Sequence, residues 1–340
     1  MKLIDTNDAV GHVLCHDLTQ IIVGTCKDAR FRKGHVVTEE DIPVLLSMGK
    51  EHLYVWEQQA GMLHEDEAAD RLRALCQGAN MHPTPVKEGK IELIADCDGL
   101  LQVDVERLNF LNGEDDIMIA TRHTNTVVSK GDKLAGTRII PLVIAEDKLR
   151  AVEARAGTQP LLTLTPWKRK TVGLVTTGSE VATGRIEDTF TPVLKDKLAV
   201  FGVSVTEQCM PGDDRAAITA AILSFWKKGV DFILCTGGMS VDPDDRTPGA
   251  IKDTGANVIS YGAPVLPGAM FLLSYFEDGT PVLGLPGCAM YNKATIFDLI
   301  LPRVVADIPV SRADLKGLGH GGLCLGCKVC HYPICPFGKA

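Results

Sequence analysis

Three short runs of apolar and β-branched residues recur in the second half of the chain, and each runs into a glycine-bearing loop. Thr171–Thr176 leads into Thr177-Gly178-Ser179-Glu180. Asp231–Cys235 leads into Thr236-Gly237-Gly238-Met239-Ser240 and on to Asp242, Asp244 and Asp245. Pro281–Leu285 leads into Pro286-Gly287-Cys288. Continuous apolar runs of this length suit strands buried on both faces of a parallel sheet. Between the runs the period changes to that of helices. Residues 188–201 place Leu194, Leu198 and Phe201 on one face, and the segment after Pro211-Gly212-Asp213-Asp214 places Ile218, Ala221, Ile222 and Phe225 on another. Further strands are predicted over Val203–Gln208, Asn257–Ser260 and Phe271–Phe276, with a closing helix to about Val305. The pattern predicts a doubly wound, mostly parallel α/β sheet whose three glycine loops share one edge.

The first half reads differently. Residues 1–57 predict a small α+β unit. One or two strands lie within Val10–Val23, a helix begins at Thr38-Glu39-Glu40-Asp41 with Thr38 as its cap, and a strand returns over His52–Trp56. A charged helix over His64–Gln77 buries Ala68, Ala69, Leu72 and Leu75. Strands follow at Ile91–Ala95, Asp116–Ala120, Asn125–Val128 and Arg138–Ile144, with turns expected at Lys130–Asp132 and Ala135–Thr137. A helix is expected over 146–156. Residues 58–157 are therefore expected to form a helix and a β-rich accessory module, 171–309 the doubly wound domain, and 318–340 a separate tail.

Composition narrows the function. The 340 residues carry a formal net charge of −8, which argues against nucleic acid or an anionic membrane as the main partner. No stretch approaches the length of a membrane span, and Met1–Asp5 does not open a signal peptide. Of eleven cysteines, seven are scattered singly, several of them inside strand patterns, as in a reducing cytoplasm. The basic cluster of residues 1–57 is Arg30, Arg32 and Lys33. Such clusters are mostly solvated surface, although this one would also suit an anion presented by a neighbouring domain.

Glycine at a strand end lets backbone N–H groups approach an anion, and the threonine and serine hydroxyls add donors. Taken alone, Thr-Gly-Ser-Glu is an ordinary capped turn and the aspartates an ordinary solvated one. Three such loops at three strand ends point to a ligand. The ordered set Thr177-Gly-Ser-Glu180, Pro211-Gly-Asp-Asp214, Thr236-Gly-Gly-Met-Ser240 with Asp245, Pro267-Gly268 and Leu285-Pro-Gly287 resembles the molybdopterin-binding domain. That domain is shared by the molybdopterin molybdotransferases, the gephyrin E domain among them, and the molybdopterin adenylyltransferases. The resemblance covers about 171–305.

It implies a molybdopterin, or its adenylylated form, held along the strand ends, with Mg²⁺ and molybdate nearby. By the same resemblance Asp245 is the functional aspartate and Glu180 the acidic residue of the first loop, while Asp242, standing where the family often has glycine, is a third candidate catalytic carboxylate. Thr177, Gly178, Ser179, Thr236, Gly237, Gly238, Ser240, Pro267, Gly268, Pro286 and Gly287 line the ligand. Asp242-Pro-Asp-Asp-Arg-Thr-Pro248 is spaced more like the adenylyltransferase loop, while residues 8–57 are vaguely similar to segments around the molybdotransferase core. The implied activities are molybdate insertion into adenylylated molybdopterin, carriage or sensing of the cofactor for an acceptor molybdoenzyme, and adenylyl transfer. Related molybdotransferases close their site across a homodimer, so Arg30, Arg32 and Lys33 are expected to face the Thr236–Asp245 loop.

The tail carries Cys324-x2-Cys327-x2-Cys330-x4-Cys335-Pro336. This is the bacterial ferredoxin run with one extra residue before the last cysteine, which predicts an Fe–S cluster. With His320 and His331 close by, Zn²⁺ is the alternative.

Overall fold

The computed structural model describes residues 2–22, 26–55, 60–178 and 187–339. Two compact units divide the chain, one formed by residues up to Cys97 together with Leu101–Leu164, the other by Asp98–Leu100 and Thr165 onward. No helix among the described residues is long and apolar enough to cross a membrane.

In the first unit Lys2–Asp5 pairs antiparallel with His52–Val55, and Leu18–Ile22 pairs with Cys26–Phe31. Leu14, Leu18, Phe31, Val37, Leu45 and Leu53 close a small core of their own. The helix spans Asp41–Ser47 with Glu40 at its cap position, two residues later than a Thr38 cap suggests. Thr38 instead donates its amide and hydroxyl to the Asp41 carboxylate, at 2.9 Å each, and stands in the turn before the helix. Arg30 and Arg32 are exposed, whereas Lys33 bonds within the unit, 2.5 Å from Asp66 Oδ2 and 2.9 Å from His64 Nδ1.

A four-stranded antiparallel sheet follows, in the order Met81–Pro83, Ile91–Ala95, Lys133–Ile139, Ile117–Thr121. The predicted turn at Ala135–Thr137 is in fact the centre of a strand. Gly136 pairs with both Glu92 and Ala120, and the irregularity lies one residue earlier, between Lys133 and Ala135. The predicted strand Arg138–Ile144 is broken at Ile140–Leu142, around Pro141, into the end of that strand and Val143–Ala145. A proline lacks the N–H that a continuing ladder needs. A strand at Gly99–Val103 and a helix at Val105–Asn112 complete the region and were not predicted.

The second unit is built on one six-stranded sheet. Its strands are β1 (Thr171–Thr176), β2 (Ser204–Cys209), β3 (Phe232–Thr236), β4 (Asn257–Tyr261), β5 (Leu272–Tyr275) and β6 (Pro281–Leu285), in the spatial order β2-β1-β3-β6-β5-β4. The first four in that order run parallel, β5 alone runs antiparallel to them, and β4, antiparallel to β5, resumes their direction. Helices α1 (Phe190–Ala199), α2 (Arg215–Lys227), α3 (Thr247–Asp253), α4 (Ile296–Val305) and α5 (Arg312–Gly317) connect or follow the strands. Every residue of β3 and β6 is buried, as an apolar run without alternation requires. One apolar cluster joins Leu194, Leu198, Phe297 and Leu301 to Leu174 and Leu234. A second joins Ile218, Ile222 and Phe225 to Val175 and Ile233. The sheet is thus covered on both faces, as predicted.

Two carboxylates fasten this unit. Asp298, at the start of α4, caps the helix by accepting from Thr295 N at 2.7 Å. It also holds Lys197 of α1 through both oxygens, at 2.6 and 2.7 Å. Asp231, just before β3, accepts from Lys170 N at 2.6 Å, Thr171 N at 2.8 Å and Thr171 Oγ1 at 3.0 Å, and so pins the start of β1. Burial raises the Asp231 pKa, but these bonds and Arg169 outweigh it and leave the carboxyl below its ordinary value. Its contribution is therefore full above an unfolded value of about 3.9 and is lost as pH falls through the lower folded one. Thermal melts should show Asp231→Asn less stable than the parent at pH 7, with the gap narrowing below about pH 4. A gap of equal size at pH 3 and pH 7 would show that the charge is irrelevant.

Candidate functional site

Register brings the loops together. Thr176 pairs with Thr236 and Thr236 with Leu285, so β1, β3 and β6 end level and their loops leave the sheet side by side. The end of β2 is level too, because Val175 pairs with Cys209, which places Pro211–Asp214 on the same edge. The antiparallel return adds a fifth segment. Leu272 pairs with both Tyr261 and Gly284, so the β4–β5 connection with Pro267 and Gly268 opens there as well. Five segments that are separate in sequence thus share one sheet edge.

The first two loops are locked backbone to backbone. Thr177 donates N–H to Thr236 O at 2.7 Å, and its hydroxyl lies 3.1 Å from the same oxygen and 3.2 Å from Thr247 Oγ1. Thr247, fully buried, donates its hydroxyl to Gly237 O at 2.8 Å and its N–H to Gly238 O at 3.2 Å. Only glycine fits at 237. Its φ is +83°, and a Cβ there would stand 2.4 Å from Thr177 O. The second loop then folds on itself, with Ser240 N donating to Asp245 Oδ2 at 2.7 Å and Asp245 N donating to Asp242 O at 2.9 Å. Asp245 is half-buried, while Asp242 and Asp244 are exposed.

Tyr261 reaches across from β4, its hydroxyl 3.0 Å from Met239 O and 3.2 Å from Ser240 O. Burial, and then the nearby Asp245 carboxylate, push this phenol above its ordinary range and keep it a donor. The Oγ1 atoms of Thr176 and Thr236 are buried and have no hydrogen-bond partner. They sit on register-paired residues at the strand ends, about 5 Å apart along the ladder. An unsatisfied buried hydroxyl costs about 1–3 kcal/mol, and two together at the edge where the loops meet suit an oxygen-rich ligand.

Of the predicted pocket residues, Thr177, Gly178, Thr236, Gly237, Gly238, Ser240, Pro267, Gly268, Pro286 and Gly287 all lie at this edge, with Asp242 and Asp245 on its central loop. Ser179 and Glu180 lie outside the described residues. Gly268 fits closely, since a Cβ there would meet Ile296 Cγ2 at 2.6 Å. Sequence reasoning missed Thr247, Tyr261 and Thr176. For Thr247 a signal was present in Asp245-x-Thr247-Pro248, but for Tyr261 there was none.

The tail reaches the same edge. Leu266 N donates to Gly322 O and Cys324 N to Leu266 O, both at 2.8 Å, so the tail begins as an extension beside Pro267. Cys324 and Cys335 are half-buried, and Cys327 and Cys330 are exposed. All four line one cleft of about 560 Å³. Among the described residues no group of three or more His, Cys, Asp or Glu is already gathered for a metal ion.

Comparison with known proteins agrees with this geometry. Residues 173–306 match a family model described as a probable molybdopterin binding domain, and residues 3–57 match a domain of unknown function, DUF8806. A molybdopterin molybdenumtransferase of Synechococcus elongatus is 27% identical over 180 residues, covering 50% of this chain and 42% of the relative. A molybdenum cofactor biosynthesis bifunctional protein of the same organism is 31% identical over 158 residues, covering 44% and 48%. A CinA-like protein of Mycolicibacterium gilvum is 40% identical over 75 residues, covering 22% and 18%. The chain thus spans less than half the length of these curated relatives. The stretch from 173 to 306, and with it every loop gathered at this sheet edge, belongs to the molybdopterin-binding domain family.

Proposed function

We propose that the protein acts in molybdenum cofactor biosynthesis, binding adenylylated molybdopterin at this edge and inserting molybdate with release of AMP. The observation that carries the reading is the level ending of β1, β3 and β6, which sets three glycine loops side by side over two unpartnered threonine hydroxyls. The N–H groups and hydroxyls of the first two loops suit the ligand's phosphates. Asp245, with Asp242 and Glu180, offers the oxygen donors that Mg²⁺ prefers, and the bound ion would offset phosphate charge during transfer. Tyr261 and Thr247 hold the backbone on which Asp245 is carried.

Adenylyl transfer is the second reading, favoured by the buried Thr247 within Asp245-x-Thr-Pro. The third is a carrier that passes the cofactor to an acceptor molybdoenzyme. The working species is proposed to be a cytoplasmic homodimer, for which a solution mass of one chain would be decisive against. Incubation of the protein with adenylylated molybdopterin, Mg²⁺ and molybdate should release AMP only when molybdate is present. Bound pterin without AMP would leave the carrier. Formation of adenylylated product from molybdopterin and ATP would establish the transferase.

A further inference from the structure

We propose that the C-terminal tail binds an iron–sulfur cluster through Cys324, Cys327, Cys330 and Cys335, beside the rim of the molybdopterin-binding edge. The inference does not depend on which reaction that edge performs.

The first support is convergence. The four cysteines fall within twelve residues and all line one cleft, which is also lined by Tyr291–Ala294, the chain that continues from the third glycine loop. A cleft of about 560 Å³ gives four thiolates a common space.

The second is anchorage. The tail is not a loose end. Its start is bonded to Leu266 on both sides, and Gly338 N closes it by donating to Gly321 O at 3.0 Å. Between these points Tyr332 donates its hydroxyl to Asp298 O at 2.9 Å, and Phe337 is 3% exposed against the core of the unit. The tail is therefore a closed loop held at its base, with all four cysteines between the paired Gly321 and Gly338.

The third is the apolar residues placed between the ligands. Leu325, Val329 and Ile334 are 71%, 67% and 86% exposed. Three large aliphatic side chains at such exposure, one in each interval of the motif or next to it, are poor choices for a solvated turn. They suit the apolar shell that limits solvent access to a cluster and tunes its potential.

Spacing selects iron–sulfur over zinc. Structural zinc sites join two short pairs separated by a long interval. Here three cysteines follow at successive intervals of two residues, with the fourth just ahead of a proline, as in cluster-binding runs.

The test uses the full chain purified anaerobically and reconstituted with ferrous iron and sulfide. About four iron and four sulfide per chain are expected, with the broad visible absorption of a cluster that bleaches on reduction. Cys327→Ser/Cys330→Ser should retain less than a tenth of that iron, whereas Cys97→Ser should retain all of it. Because both serines replace exposed residues, far-ultraviolet circular dichroism should be unchanged, which separates loss of ligands from loss of fold. Alkylation of the four tail thiols should be slow in loaded protein and fast after chelation. The proposal is overturned by zinc in place of iron, by iron that survives the double substitution, or by reconstituted protein whose tail thiols alkylate as fast as before. Pterin binding measured on the same samples tests the neighbouring edge separately, and its failure would leave the iron result standing.

Discussion

Asp245→Asn is expected to lower molybdate-dependent AMP release about 100-fold, about 3 kcal/mol of transition-state stabilisation, while pterin binding stays within a few-fold of the parent. The expectation rests on one bond that this side chain makes and on the one task proposed for it. One is structural: an oxygen accepts from Ser240 N at 2.7 Å and closes the second loop. Asparagine keeps a carbonyl oxygen for that bond, so the loop and its backbone N–H groups persist. The other is electrostatic, and amidation removes the charge a magnesium ion would need. Asp245→Ala separates the two further, since it loses the loop bond as well and should weaken binding. The measurements are nucleotide release by chromatography and pterin affinity by fluorescence. Full turnover by Asp245→Asn would remove the aspartate from the chemistry and favour the carrier reading. Loss of binding together with turnover would assign it to architecture.

Removing Asp298 should have the largest effect on stability. Its carboxylate is 10% exposed and holds Lys197, itself 14% exposed, while also capping α4. Asp298→Ala therefore strands a half-sequestered ammonium and removes half of the capping box at the start of α4 in one step. The expected loss is about 3 kcal/mol, which for a unit of this size lowers the unfolding midpoint by roughly 6–12 °C. Lys197→Met added to Asp298→Ala should recover part of the loss, because an apolar side chain needs no counter-charge. A single variant that melts within 2 °C of the parent would show the pair to be ornamental.

How much of this was legible beforehand depended on whether local pattern or distant contact fixed each element. The buried strands Thr171–Thr176, Phe232–Thr236 and Pro281–Leu285 announce themselves, because a strand covered on both faces must be apolar at every position. The glycines at their ends follow from the same logic. The helix Val105–Asn112 was hidden because Leu111 is its one fully buried residue, which gives no stripe to read. Ala135–Thr137 misled because Gly136 resembles a turn, yet strands on both sides of it supply the ladder that overrides the local preference. Thr38 was read as a cap when its hydrogen bonds serve the turn ahead of the helix. In the site, the five motifs could be placed at strand ends, but not beside one another, since strand order is a property of the sheet. Tyr261 and the tail's approach to Leu266 depend wholly on that order.

The position of β6 has a consequence for synthesis. β3 lies between β1 and β6, and β6 follows it in sequence by more than forty residues. While the chain emerges, β2, β1 and β3 can pair as soon as Thr236 has left the ribosome, but the far side of β3 then presents a largely apolar strand with unpaired backbone groups. At about 5–20 residues per second, the 49 residues from Thr236 to Leu285 leave that edge open for roughly 2–10 s. An apolar edge of this kind is a template for mispairing. The nascent chain therefore meets its greatest hazard just before the third loop emerges, and a ribosome pause or a bound chaperone would matter most in that interval.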